Sequence, residues 1–585
     1  MSSLGNFVWS IADQLRGVYR PHQYGDVILP MTILRRLDCV LEPTREQVRD
    51  IAYAEPRDEL RDVKIKKATG LNFYNTSPWT FAKLVGDPDG LSANLTDYLA
   101  GFSKNIDVFE RFRFDSQIAT MAEKNRLLIV VQKFADVDLH PQIISNAEMG
   151  DLYEHLIRKF AEASNETAGE HFTPRDAIRL MVELLFAGDD RALTEKGVVR
   201  SIYDPTAGTG GMLSIAEEHL IGTPDKPGLN PDGRLRLYGQ EINDQSYAIC
   251  KSDMIGKGQD PKNVKLGDTL ADDLFAGTTF DYCLSNPPYG FDWKASERAV
   301  KAEVARAGEH SRFPAGLPSI GDGQMLFLQH LATKMRPIKD GGGRAGIVLN
   351  GSPLFTGAAE SGPSKIRQWL IERDLVDAIV ALPTNMFFNT GIATYVWVLD
   401  NNKAVDRVGK VQLIDGTGFY AKMRKNLGAK SRELSPTDRA EIVKLYAEYA
   451  SSKHSKTFRT DEFGYWTVTV ERPLLDDDGT AVTDRKSNPK ADTKLRDTEN
   501  IPFTYAGNVA GDEGRDATVK AYVESEVLPH VPDAWVDHKK TKVGYEIPFT
   551  RHFYEYVPLR PLEEIDADLN KLVTEIMDLL REVEQ

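Results

Sequence analysis

Four consecutive residues, Asn286-Pro287-Pro288-Tyr289, have the composition to act on an amino group. Two prolines remove two backbone donors, so the turn offers mainly acceptors, the Asn286 amide oxygen and the Pro287 carbonyl. An exocyclic amine has two N–H bonds and a lone pair delocalised into its ring. Two acceptors would hold both hydrogens and make that nitrogen the better nucleophile. Tyr289 adds an aromatic face on which an unstacked base could lie, worth roughly 1–3 kcal/mol per base. A second group, Asp204-Pro205-Thr206-Ala207-Gly208-Thr209-Gly210-Gly211, stands between a strand ending at Tyr203 and a helix from Met212 to Leu220. Glycines let a backbone approach a ligand closely, and a helix N-terminus presents unpaired N–H groups. The spacing is not that of a nicotinamide or flavin fingerprint, because Leu213 stands where the third glycine belongs, and no phosphate loop of the G-x-x-x-x-G-K-[ST] kind occurs. Glu241 and Asp268 end the next two strand candidates. The first could accept from both hydroxyls of a ribose, the second could face an adenine amino group.

These residues need a scaffold that brings strand ends together. Seven short β-branched or aromatic runs alternate with helical patterns: Val198 to Tyr203, Arg234 to Gly239, Asn263 to Leu266, Phe280 to Ser285, Arg344 to Asn350, Val376 to Leu382 and Thr394 to Leu399. Such alternation predicts an α/β doubly wound, largely parallel sheet with ligands at the carboxyl ends of its strands. Before it, apolar residues recur at helical spacing, as in Val27, Ile28, Met31, Leu34 and Leu37, which predicts a helical domain over residues 1–165. The sheet domain is expected over 166–415 and an extension over 416–560, with an exposed, mobile insertion near 473–500. Over 561–585, Leu562, Ile565, Leu569, Leu572, Ile576, Leu579 and Val583 step by alternating threes and fours, which is a heptad seam.

Composition narrows the class. In 585 residues, 41% are hydrophobic and 27% charged, too apolar for a disordered chain. No apolar run approaches a membrane span and the first ten residues lack a signal core, so a cytoplasmic protein is expected. Cys39, Cys250 and Cys283 are too scattered for a disulfide framework or a thiolate zinc site, and no metal is expected. A formal charge of −15 is poorly suited to holding a polyanion unaided. Either the chain avoids nucleic acid or a partner helps.

The motif set resembles that of amino-group methyltransferases using S-adenosyl-L-methionine, with Asp204 to Gly211 similar to their cofactor loop and Asn286 to Tyr289 to their catalytic turn in its adenine-N6 form. Gly169-Glu170-His171-Phe172-Thr173-Pro174-Arg175 resembles the segment that closes over the cofactor's methionine end in modification (M) subunits of type I restriction-modification systems. Pro383 to Ile392 resembles the loop supplying a second aromatic, Phe387 or Phe388, to a flipped base. The resemblance implies a Rossmann-like seven-stranded methyltransferase sheet with a helical N-terminal domain and a C-terminal helical extension. It further implies that Thr173, Pro174, Asp204, Thr206, Gly208, Thr209, Gly210, Gly211, Glu241 and Asp268 bind the cofactor. Asn286, Pro287, Pro288 and Tyr289 would act on a flipped adenine of double-stranded DNA. Implied partners are a specificity (S) subunit met by the terminal heptad helix, a second M subunit and a restriction (R) subunit. The basic runs Lys64 to Lys67, Lys422 to Lys430 and His538 to Lys542 are candidate phosphate contacts. A solitary adenine-N6 or protein glutamine methyltransferase, or a non-catalytic assembly subunit, are the competing readings.

Overall fold

The computed structural model describes residues 3–145, 148–150, 152–153, 156, 173–189, 193–223, 226–388, 390–486, 488–507, 512–556 and 561–583. It divides into two compact units, Met1–Ile547 and Pro548–Gln585. Among the described residues no helix is long and apolar enough to cross a membrane.

Up to Ala135 the regular elements of the larger unit are helices. The central one, Gly25–Leu41, buries Val27, Ile28, Leu29, Met31, Ile33, Leu34 and Leu37, more than one face, because neighbours surround it. This core extends onto Ala248, Ile249 and Ile255 of the helix Asp244–Gly256. Lys251 of that helix reaches Asp107 at 2.6 Å across the same boundary.

The sheet consists of β1 (Val199–Asp204), β2 (Arg234–Glu241), β3 (Val264–Leu266), β4 (Tyr282–Ser285), β5 (Arg344–Asn350), β6 (Val376–Ala381), β7 (Thr394–Asp400), β8 (Lys410–Asp415) and β9 (Ser455–Arg459). Their spatial order is β9-β8-β6-β7-β5-β4-β1-β2-β3. Neighbours are parallel except where β7 pairs with β5 and β6, and β9 with β8. All seven anticipated strands form, each within two residues of its expected bounds; β4, β5, β6 and β7 are almost wholly buried apolar runs, while β2 alternates exposed arginines with buried leucines. The sheet nevertheless has nine strands rather than seven. The added β8 carries a fully buried Gln412 that breaks its apolar pattern. The Gln412 amide nitrogen donates to the Leu445 carbonyl at 2.8 Å and to the Ser455 hydroxyl at 2.9 Å, partners visible only after folding.

Beyond β9, Gly464–Glu471 pairs antiparallel with both Asp497–Pro502 and Trp535–Tyr545. The 473–500 insertion is exposed but patterned: bridges join Pro473 to Ala491, Leu475 to Ala481 and Thr483 to Pro489, and its end becomes a strand. Arg367, on the helix Gly362–Glu372, ties this small sheet to the large one. Fully buried, it donates from Nε to the Tyr545 carbonyl at 2.6 Å, from Nη1 to Pro353 at 3.1 Å and from Nη2 to Thr356 at 3.0 Å. In the smaller unit the helix Leu562–Val583 bears the heptad residues, of which Leu562, Ile565, Leu569, Leu572, Ile576 and Leu579 are exposed.

Replacing Arg367 by Met keeps the aliphatic stem but strands the buried Tyr545 and Pro353 carbonyls and the part-buried Thr356 carbonyl. Arg367→Met is expected to cost about 3 kcal/mol, read from urea unfolding of the wild-type and variant chains.

Candidate active site

The chain runs from β1 to β2 and β3 on one side, then crosses to β4 on the other side of β1. Strand order therefore reverses between β1 and β4, which leaves a crevice at their carboxyl ends. The glycine loop fills it. Gly208 and Gly210 have φ of +53° and +85°, a region that side chains avoid, and a Cβ on Gly210 would stand 3.0 Å from the Cys250 sulfur. The loop is closed across the crevice by the Thr206 and Ser285 hydroxyls, 2.8 Å apart. It is held from β2 by Glu241, whose Oε2 accepts from the Gly208 N–H and Oε1 from the Asn243 N–H, both at 2.8 Å. Those residues are distant in sequence, but β1 and β2 pair Asp204 with Gly239, which brings Glu241 alongside.

The resulting cavity of about 290 Å³ is lined by Thr173, Asp204, Thr206, Gly208, Thr209, Gly211, Glu241, Asp268, Asn286 and Pro288 among others. Pro174, Gly210, Pro287 and Tyr289 are not in its lining. Gly169 to Phe172 lie outside the described residues. Several lining residues had no signal of spacing: Ile242 and Leu270 follow the two acidic strand ends, and Phe291, Trp293 and Ser296 come from the segment after the proline turn. The apolar members suit a flat base. Ser296 donates to Asp268 Oδ2 and the Leu270 N–H donates to Oδ1 at 2.9 Å, so that carboxylate is oriented. Among the described residues, no cluster of His, Cys, Asp or Glu could hold a metal ion.

Asp204 is buried, 1% exposed. Its Oδ1 accepts from the Thr206 N–H at 2.9 Å and the Thr206 hydroxyl at 3.2 Å. Burial nevertheless pushes its carboxyl up to about 7, with the Glu241 charge adding to the rise. A cation brought into the cavity would stabilise the ionised form.

At the other end, Asn286 is gripped from two sides. Its amide nitrogen donates to the Thr173 hydroxyl at 2.8 Å, and its Oδ1 accepts from the Tyr289 hydroxyl at 2.7 Å. Thr173 thereby directs the amide oxygen away from itself. The half-buried Tyr289 ring meets Phe387 edge to face, centroids 6.0 Å apart. Phe388 turns instead to a separate groove shared with Met423 and Leu427. The geometry couples the two expected aromatics at one place, through Phe387, and the tyrosine hydroxyl occupies the acceptor that an amine would need.

Sheet order, glycine loop and proline turn define an amino-group methyltransferase. The model of the N-6 DNA Methylase family matches residues 145–470, more than half of the chain, and that of the HsdM N-terminal domain matches residues 4–134. The chain belongs to the N-6 DNA methylase family. It is an adenine-N6 DNA methyltransferase of the modification-subunit type. It is similar to the type I restriction enzyme MjaIX methylase subunit of Methanocaldococcus jannaschii, 26% identical, with 80% of each chain covered. The EcoKI methylase subunit of Escherichia coli is 24% identical over 65% of this chain and 67% of its own. Among solved structures, the fold resembles a type I restriction-modification methyltransferase subunit from Streptococcus thermophilus. That match has a TM-score of 0.60 and 24% identity, and covers 79% of this chain and 96% of that one.

Two outcomes follow from the site's geometry. A carboxyl raised in the fold weakens the native state progressively as pH climbs from its unfolded value near 4 through about 7. Asp204→Asn should therefore raise the unfolding midpoint relative to wild type at pH 8, with the gain vanishing toward pH 4. Thr173→Val removes the acceptor that orients Asn286. It is expected to lower kcat about tenfold, the size of one lost hydrogen bond, with KM for the methyl donor within twofold and recovery in Thr173→Ser.

Proposed function

We propose that the cavity binds S-adenosyl-L-methionine and that Asn286 orients the N6 amine of an adenine drawn out of double-stranded DNA. When bound, the cofactor supplies a methyl group on a positively charged sulfur. The fit rests on the donor set. The loop from Asp204 through Thr206 to Gly211 meets the methionine end, where ionised Asp204 complements positive charge. Glu241 keeps acceptor capacity for ribose hydroxyls, and Asp268 is oriented toward a base amine among Ile242, Leu270, Phe291 and Trp293. Thr173 serves Asn286 first and the cofactor second, while Pro174 and Gly210 shape the backbone around the cavity.

The observation that carries the reading is the Asn286 amide, fixed by Thr173 at the β4 end of that same cavity. Its Oδ1 and the Pro287 carbonyl accept the two N–H bonds of the target amine, holding the nitrogen lone pair free for attack. Pro288 walls the cavity beside it. Tyr289 releases its hydroxyl bond to Asn286 as the base arrives, then stacks on it opposite Phe387. Catalysis is positioning in a preorganised polar site, without an enzyme-bound covalent intermediate.

The chain then works as the modification subunit of a type I assembly in the cytoplasm. A specificity subunit reads the DNA sequence, a second copy of the chain flanks it, and a restriction subunit supplies cutting. The exposed heptad face of Leu562–Val583 suits helix pairing with the specificity subunit. Transfer of labelled methyl from S-adenosylmethionine to unmodified plasmid DNA, with the specificity subunit present, tests the reading. Asn286→Ala should reduce transfer at least a hundredfold while S-adenosylhomocysteine affinity stays within threefold. Absence of transfer by the wild-type complex would instead favour an inert assembly subunit.

A further inference from the structure

We propose that the hairpin Ala421–Leu427/Lys430–Glu433 is a phosphate-binding arm that grips the DNA backbone beside the adenine pocket. The proposal rests on the DNA-methylating reading above and adds the surface that holds the substrate. The hairpin contains five cations and one acid in a chain of net charge −15, so it is a local exception to a repulsive whole.

The cations divide into two groups. Lys430 and Arg432 are anchors. The Lys430 ammonium binds Asp176 at 2.9 Å and the Arg432 carbonyl at 2.8 Å. Arg432 donates to the Thr384 hydroxyl at 3.1 Å and lies over the Tyr420 ring. Lys422, Arg424 and Lys425 are exposed and make no ion pair among the described residues. The other two basic runs are partly committed within the protein: Lys64 to Glu55 at 2.6 Å, Lys66 to Asp62 at 2.9 Å, and Lys540 to Glu471 at 2.9 Å.

Position supplies the second argument. The Phe388 carbonyl accepts from the Ala429 N–H at 2.9 Å, and the Asn385 carbonyl accepts from the Ser431 N–H at 3.0 Å. The approach at the turn is so close that a Cβ on Gly428, whose φ is +60°, would fall 2.4 Å from the Phe388 oxygen. Phe387, the next residue back, is the ring packed on Tyr289. One peptide unit therefore separates the contact facing the target base from the contact holding the basic arm. A strand gripped by Lys422, Arg424 and Lys425 would have its neighbouring nucleotide delivered to that pocket, and the affinity so gained is electrostatic and salt-dependent.

The test compares full-length wild type with Lys422→Ala/Arg424→Ala/Lys425→Ala, each with its specificity subunit. Anisotropy with a labelled 40-base-pair mixed-sequence duplex across a salt series gives affinity and salt slope, and methyl transfer to unmodified plasmid gives KM for DNA. Expected are at least tenfold weaker binding, a salt slope reduced by about 2 to 3 as for three lost phosphate contacts, and a matching rise in KM. S-adenosylhomocysteine affinity and unfolding midpoint should not change. An unaltered slope and KM would overturn the proposal. So would unaltered DNA binding with loss of the specificity subunit from the purified complex, which would make the arm a protein-docking element. A wild-type complex that transfers no methyl group would sink the functional reading alone, since the salt slope still decides whether the hairpin binds phosphates.

Discussion

The candidate site depends on the crevice that opens where β1 and β4 carry the chain to opposite sides. At that edge the loops after β1, β2, β3 and β4 come together, and the Thr206–Ser285 hydrogen bond joins the ends of β1 and β4. Everything else in the site hangs from this closure. The glycine loop leaves β1 and is caught by Glu241 from β2, Asp268 arrives from the end of β3, and the proline turn continues β4. Parallel strands make the convergence unavoidable, because all four end at the same edge.

The site is held in a costly state before anything binds. A buried carboxyl near neutrality is destabilising, and the Thr206 N–H and hydroxyl offset only part of the burial of Asp204. Glu241 accepts one backbone N–H on each oxygen, from Gly208 and Asn243, and Tyr289 occupies the Asn286 oxygen. Each contact keeps a polar group satisfied in the free protein, and each marks where a ligand atom with better complementarity would take over. This is the familiar exchange of stability for function at a preorganised site. The rest of the chain bears the cost through its two large cores, one helical and one around the sheet.

Charge is organised by the same logic. Many of the buried or partly buried cations are consumed by ion pairs, such as Lys251 with Asp107 and Arg407 with Asp377, and the surface is acidic overall. The exposed cations Lys422, Arg424 and Lys425, on the hairpin that docks on Phe388, then matter more locally than the net charge. Attraction falls off within about 10 Å at ordinary salt, so a distant acidic surface hardly opposes them.

The chemistry of the turn at Asn286 and the loop at Asp204 was legible from residue types alone. Prolines delete donors and glycines admit positive φ wherever they stand. Seven strands were legible because most are buried on both faces and read as apolar runs, and β2 reads as an alternation. The two strands beyond them were not, since Gln412 is tolerated in β8 only through partners in Leu445 and Ser455. Phe291, Trp293 and Ser296 belong to a segment without periodicity, and they reach the cavity because the chain folds back over Asp268. The binding of Asn286 by Thr173, more than a hundred residues earlier, and the docking of the 421–433 hairpin on Phe388 are likewise products of packing. Local composition sets what a backbone turn can donate or accept. Which distant side chain meets it depends on strand order and register, and those are settled by the burial of the whole sheet.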